Sequence, residues 1–136
     1  MARAYIPPPW ILREVGNRLT RLFGNPVLVV EGRTSGNPQE IPINVLHHKG
    51  ERYLVAPRGE TDWVRNVRAA GRAQLKRRRS VEPIMLVELD TADKPDLITA
   101  YRQKWDRPTR RQWEALPDPA DHPIFRIVPH SGSTPE

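Results

Sequence analysis

From Ile11 to Phe23 the apolar positions Ile11, Leu12, Val15, Leu19, Leu22 and Phe23 recur at three- and four-residue spacing, while Arg13, Glu14, Asn17, Arg18 and Arg21 take the other side. That period places the apolar side chains along one stripe of a helix. Pro7, Pro8 and Pro9 suit its first turn, and Gly24-Asn25-Pro26 stops it. The helix either packs on a sheet or lies on a membrane surface, because its polar side carries three arginines.

The period then changes. Val27 to Val30 is a continuous β-branched run suited to a buried strand, and Gly32 to Pro38 is a polar turn. Ile41, Ile43 and Val45 alternate with Glu40, Pro42 and Asn44, predicting one half-buried strand. Lys49-Gly50 turns the chain into Tyr53-Leu54-Val55. A short helix is expected from Asp62 to Ala70, with Thr61 as N-cap and Gly71 as its stop. Gln74 to Arg78 and Ile84 to Leu89 predict a hairpin around Ser80. Asp93 to Trp105 predicts a helix with acids at its start and Arg102 and Lys104 at its end. Phe125 to Val128 closes as a strand.

Six short strands with so little helix cannot be covered as one flat sheet. Curling removes the edges and buries one face. The fold class expected is therefore mainly β (α+β), an antiparallel β-barrel of about six strands with a few peripheral helices. Residues 1–26 are expected to form the N-terminal amphipathic helix, 27–129 the cofactor-binding barrel and 130–136 a flexible tail.

A chain of 136 residues fits one domain of this kind. It has no cysteine, which excludes disulfides and thiolate chemistry. It also has no apolar run of membrane-spanning length and no secretory signal at its N-terminus, so cytoplasm is the expected location, with peripheral membrane contact through the first helix as the alternative. The net charge of +6 is local. Arg65, Arg68, Arg72, Lys76, Arg77, Arg78 and Arg79 fall between Trp63 and Val81 with no acid among them, and the rest of the chain is close to neutral. Such a stripe is either a solvated face or the footprint of an anionic partner.

His47 and His48 are adjacent and would point to opposite faces of a strand, so a shared metal is disfavoured. Nucleophile-elbow, P-loop and dinucleotide-fingerprint motifs are missing from the sequence. Reactive chemistry would have to come from a cofactor. Two loops have phosphate-seeking character. Arg33-Thr34-Ser35-Gly36 offers a guanidinium, two hydroxyls and an approachable backbone. Pro57-Arg58-Gly59-Glu60-Thr61-Asp62 leads into a helix N-terminus.

Taken in order, Gly32-Arg33-Thr34-Ser35-Gly36-x-Pro38, Pro42, a hairpin, Ala56-Pro57-Arg58-Gly59 and Trp63-x-x-Asn66 resemble the deazaflavin-dependent nitroreductase family, split β-barrel oxidoreductases of actinobacteria that use coenzyme F420. The resemblance covers about Val27 to Pro129. It implies that Arg33, Thr34, Ser35 and Gly36 hold the cofactor's phosphate and the start of its glutamate tail. Pro42, Asn44, Ala56, Pro57, Arg58 and Gly59 would line the deazaflavin ring, and Trp63 and Asn66 would anchor the helix that shapes the pocket. Arg65 and Arg68 would reach the acidic tail. Thr34 stands where the family commonly has lysine, Gln39 where it commonly has arginine, and Asn44 where nitro-drug-activating members have an aromatic residue.

The implied reaction is hydride transfer from the reduced deazaflavin to a small conjugated acceptor such as a quinone, enone or nitroaromatic. The proton that the resulting anion needs would come from solvent, or from Tyr101 if its helix folds over the pocket. Asn44, Tyr101 and Trp105 would face the acceptor, Tyr101 and Trp105 sharing a helix face. FMN is the alternative cofactor. A non-enzymatic barrel binding FMN, haem or nucleic acid through the Arg65–Arg79 stripe is the rival function. Nucleic acid is disfavoured, because no aromatic residue interleaves with that stripe. Either a monomer or a homodimer is compatible with this pattern.

Overall fold

The computed structural model describes residues 25–129; the predicted first helix and tail lie outside them. Seven strands form one antiparallel sheet: β1 (Val27–Glu31), β2 (Pro38–Pro42), β3 (Leu46–His48), β4 (Glu51–Val55), β5 (Arg72–Arg77), β6 (Ser80–Glu88) and β7 (Ile124–Pro129). Helix α1 (Asp62–Ala70) lies between β4 and β5, and α2 (Lys94–Ala115) between β6 and β7. Short 3-10 turns at Thr91–Asp93 and Pro119–Asp121 flank α2.

The strand order is β2-β1-β5-β6-β7-β4-β3. Its two edge strands are thus consecutive in sequence, joined only by Ile43, Asn44 and Val45. Laid flat, the edges of seven strands would sit roughly 29 Å apart. The four Cα steps from Pro42 to Leu46 reach at most about 15 Å. The sheet must curl, and the split barrel is the result. The predicted single strand over Ile41–Val45 is instead the end of β2 and the crossing, and a further strand, β3, begins at Leu46 on the opposite edge, which raises the count from six to seven. Ile43 N–H donates to the Pro26 carbonyl at 2.9 Å and fixes the crossing.

Alternation sets the two faces. Leu28, Val30, Leu54, Leu75, Ile84, Leu86, Phe125 and Ile127 point inward and form the main core, with Val64 and Val67 of α1 packed into it. Registers agree: Leu28 faces Leu75, Leu54 faces Phe125 and Leu86 faces Ile127. Truncating such a residue, Leu75 for instance, would cost about 2–5 kcal/mol. Inside the barrel, Arg52 of β4 grips Glu82 of β6 with two hydrogen bonds, at 2.9 and 2.7 Å. Toward the end of β6, Arg68 of α1 holds both Glu88, at 2.8 and 2.7 Å, and Glu60.

On the outside, Leu97, Tyr101 and Trp113 of α2 cover Leu46, Val55 and Ile124. This helix runs ten residues past the expected end at Trp105. Trp105 itself is non-helical, with φ −130° and ψ 31°, so the helix bends there. Pro108 then sits in the first turn after the bend, where its missing N–H costs nothing. Thr109 pins the bend: its hydroxyl donates to the Trp105 carbonyl at 2.6 Å and accepts from the Trp113 indole at 2.8 Å.

Helix α1 has the expected bounds, and Gly71 ends it at φ 73°, a left-handed conformation that glycine adopts without strain. Thr61 occupies the N-cap position but makes no capping bond through its side chain. The β5–β6 hairpin turns at Arg78-Arg79, with Ser80 already paired to Arg77 inside the ladder.

Candidate active site

A cleft of about 770 Å³ opens where four pieces of chain meet. The crossing segment supplies Ile41, Pro42, Ile43 and Asn44, and the end of β4 supplies Val55, Ala56, Pro57 and Arg58. The start of α1 adds Thr61, Asp62 and Trp63, and the bent α2 adds Tyr101, Pro108, Thr109 and Gln112. The volume is that of a small-molecule pocket, and its walls mix apolar and polar groups in comparable measure.

The loop after β4 is held from below. Ala56 N–H donates to the Pro123 carbonyl at 3.0 Å, while the Ala56 carbonyl accepts from Gly59 N–H at 3.1 Å. His122, fully buried, places Nδ1 3.0 Å from that same carbonyl and Nε2 2.5 Å from the Leu116 carbonyl. Its ring lies 4.3 Å from the Trp113 indole, so His122 ties the cleft floor to the end of α2. No signal in the sequence marks this role, because it depends on a β7 approach that only the topology defines.

Asn44 and Tyr101 meet across the cleft. The Asn44 amide donates to the Tyr101 hydroxyl oxygen at 3.1 Å, and Asn25 donates to the Asn44 carbonyl oxygen at 3.1 Å. Tyr101 is almost wholly buried. Burial pushes its phenol above the ordinary range, with the Asn44 bond acting in the opposite direction. Trp105 is not a cleft residue; its ring stacks beside Tyr101 at 4.8 Å and braces it. Thr61 Oγ1 and Gln112 Oε1, both in the cleft walls, have no hydrogen-bond partner.

The two predicted loops are placed differently. Pro42, Asn44, Ala56, Pro57 and Arg58 line the cleft, whereas Arg33, Thr34, Ser35, Gly36, Gly59 and Asn66 do not. Arg33 is turned onto α1: its backbone N–H and Nη1 both donate to Asn66 Oδ1, at 3.0 and 2.8 Å, and Nη2 reaches Asp62 at 3.3 Å. Within the loop, Gly32 N–H donates to the Asn37 carbonyl, Gly36 N–H to the Gly32 carbonyl and Asn37 N–H to Ser35 Oγ. Asn66 is buried. It ties Arg33 to α1.

The basic stripe does not form one face. Arg68 is clamped between Glu60 and Glu88, which keeps Glu60 below the usual carboxylate range, and Lys76 is buried. The expectation that Arg68 reaches an acidic tail is replaced by this three-residue bridge. Among the described residues, no helix is long and apolar enough to cross a membrane.

Comparison with known proteins gives a family as well as a fold. Residues 10–115 match the family described as F420H(2)-dependent quinone reductase. Among solved structures, an F420-H2 dependent reductase, FDR-A, superposes with a TM-score of 0.56 at 18% identity, covering 75% of this chain and 91% of its own. A protein of unknown function from Agrobacterium tumefaciens gives a TM-score of 0.60 at 16% identity, over 98% of this chain and 64% of its own. A pyridoxamine 5'-phosphate oxidase-like protein from Listeria innocua gives 0.57 at 13% identity, over 87% and 95%. At these identities the superpositions speak for the fold alone. No curated protein sequence matches the chain.

Proposed function

The chain belongs to the F420H(2)-dependent quinone reductase family, and from that premise we propose that it seats reduced coenzyme F420 in the cleft between Pro42 and Gln112 and reduces a small conjugated acceptor, with a quinone as the favoured class. The observation that carries this is the meeting of Asn44 and Tyr101 on a cleft whose walls also carry the flat apolar surfaces of Pro42, Pro57 and Trp63.

The residues present fit such a cofactor. Pro42, Ile43, Val55, Ala56, Pro57 and Trp63 offer the apolar surfaces that a planar ring system stacks on. Thr61 and Gln112 bring polar atoms that have no protein partner. The acids nearby are neutralised, Glu60 by Arg68 and Asp62 by Arg33, which leaves Arg58 to set the sign of the local field. Bound there, the reduced deazaflavin supplies the hydride.

What the protein adds is position and a proton. The cleft walls hold ring and acceptor together, which lowers the entropic part of the barrier. Tyr101 accepts its hydrogen bond from Asn44, so its own O–H remains available to donate into the cleft. Burial keeps that proton on Tyr101 Oη through the neutral range. An acceptor that has gained a hydride carries negative charge on an oxygen, and Tyr101 Oη is placed to protonate it.

Asn44 offers no aromatic face to a bicyclic nitroaromatic, a loss of roughly 0.5–1.5 kcal/mol of stacking. A compact quinone needs no such partner. The test is steady-state oxidation of F420H2 with menadione and with a nitroimidazole. Faster turnover of menadione is expected; no turnover of either acceptor, with no F420 binding, would overturn the proposal.

A further inference from the structure

On β1, Leu28 and Val30 point into the barrel, so Val27 and Val29 point out of it. Neither helix reaches them there. Helix α1 packs on the inner side against Leu28 and Val30, and α2 covers the far part of the sheet at Leu46, Val55 and Ile124. Yet Val27 and Val29 are only 0% and 2% exposed. Their cross-strand partners on β5 share the closure: Lys76 is buried, and Gln74 has its Oε1 shut off from solvent. One strand further, on β6, the outward Val81 and Met85 are 40% and 41% exposed. An uncovered sheet face leaves its side chains wet, so this strip has a cover that ends before β6.

We propose that residues 11–23 form a helix that docks along this strip and holds the seam of the barrel from outside. The dimensions agree. A helix with its side chains is about 10–12 Å across, and strands lie about 4.8 Å apart, so one helix covers two to three strands. Residues 11–23 would span about 20 Å as a helix, against roughly 17 Å for the five residues of β1. Their apolar stripe, with Val15, Leu19 and Leu22 at its centre, needs a surface of this kind. Gly24, Asn25 and Pro26 join it directly to Val27, so the segment can fold back over the strand that follows it. Residues 130–136 bring no Val, Leu, Ile or Phe and make a poor cover. Charge agrees as well: Arg18 borders the stripe, and Glu40, opposite Val29, brings a carboxylate to the strip on β2. The consequence reaches the cleft through the linker. Asn25 donates to the Asn44 side chain at 3.1 Å, and the Pro26 carbonyl accepts from Ile43 N–H at 2.9 Å. A docked helix fixes Asn25 and Pro26, and they in turn position the crossing.

The chain has no cysteine, so a single nitroxide spin label can be introduced cleanly. Asn17→Cys places it on the polar side of the segment, away from the stripe. In the full chain the label should broaden the amide signals of β1 and β5 and leave those of β3 and β4 sharp. No broadening, or broadening confined to α2, would overturn the proposal. Mixing spin-labelled chain with isotope-labelled, unmodified chain should broaden nothing; broadening there would give the strip to a second copy. Vesicles of phosphatidylcholine and phosphatidylglycerol should leave the pattern unchanged, whereas its loss on their addition would make a lipid surface the preferred occupant. Either result overturns the docking. Leu19→Asp, in the middle of the stripe, should erase the broadening and speed exchange of the Ile43 amide by about tenfold, with β6 and β7 unaffected. Unchanged Ile43 exchange in that variant would overturn the hold on the seam.

Discussion

The Asn44 side chain donates its hydrogen bond to the Tyr101 hydroxyl oxygen from 3.1 Å away, across 57 residues of sequence. A donor at that oxygen leaves the tyrosine proton free for a different partner. Tyr101→Phe should therefore lower kcat by about a hundredfold while leaving F420 affinity within a factor of about two. Pre-steady-state rates and binding titrations measure the two separately. Asn44→Leu removes the bond that opposes the upward shift, so the Tyr101 phenol should titrate still higher; ultraviolet titration of the phenolate checks the direction.

Arg33 and Asn66 form the strut between the first loop and α1. Arg33→Ala should cost about 2 kcal/mol, because it takes from buried Asn66 Oδ1 the guanidinium that holds it. Chemical denaturation of Arg33→Ala, Asn66→Ala and the double variant should give a coupling energy of about 1 kcal/mol or more. Strictly additive losses would mean that the two residues act separately.

Arg52 and Glu82 brace the interior between β4 and β6. The Arg52 hydrogen bonds hold Glu82 below its ordinary value of 4.5 and raise Arg52. A carboxylate whose folded pKa is depressed contributes stability that is fully present above the ordinary value and is lost as pH falls through the lowered one. Wild type should thus lose stability on acidification below that point, and Glu82→Gln should start about 2 kcal/mol less stable at neutral pH and show a flatter acid limb. Melting curves from neutral pH down to about pH 3 decide it.

Two glycines separate backbone strain from crowding. Gly71 has φ 73° with nothing near a would-be Cβ, so Gly71→Ala should cost about 1 kcal/mol, from conformation alone. Gly59 has φ 84°, and a Cβ there would lie 3.2 Å from Leu116 Cδ1 and 3.3 Å from the Asp121 carbonyl oxygen. Gly59→Ala should cost more, about 2–3 kcal/mol, because Leu116 and the Asp121 carbonyl would have to give way. Equal melting temperatures for the two variants would contradict the packing.

Elements bounded by their own punctuation were legible in the sequence. Asp62–Ala70 stands between Thr61 and Gly71, and Val27–Val30 is buried on both faces, as its unbroken apolar run implies. The alternation over Ile41–Val45 was legible as burial and misleading as connectivity: an extended crossing alternates in the same way as a strand, and nothing local says that the partner strands differ. The extra length of α2 was hidden because a proline ordinarily ends a helix, and only the bend at Trp105 makes Pro108 a beginning. At the site, the residues beside the future ring position are short-range neighbours with local signatures, and they gather in the cleft. Arg33 carried the strongest chemical signal, yet its partners Asn66 and Asp62 lie some thirty residues on, so its engagement with α1 had no local trace.

The three-residue crossing from Pro42 to Leu46 also bears on how the protein comes to be competent at all. It is the seam of the barrel, and Asn44 stands on it. The pairings that bring the seam together, β1 with β5 and β4 with β7, join distant parts of the chain, and contacts of such sequence separation slow folding. A half-assembled sheet has an Ala56 and a Tyr101 but no wall facing them. A ligand gripping both sides therefore recognises the finished ring and no precursor of it. Its binding energy will surface as resistance to complete unfolding, slowing amide exchange in β1 and β7 alike, although neither strand borders the cleft.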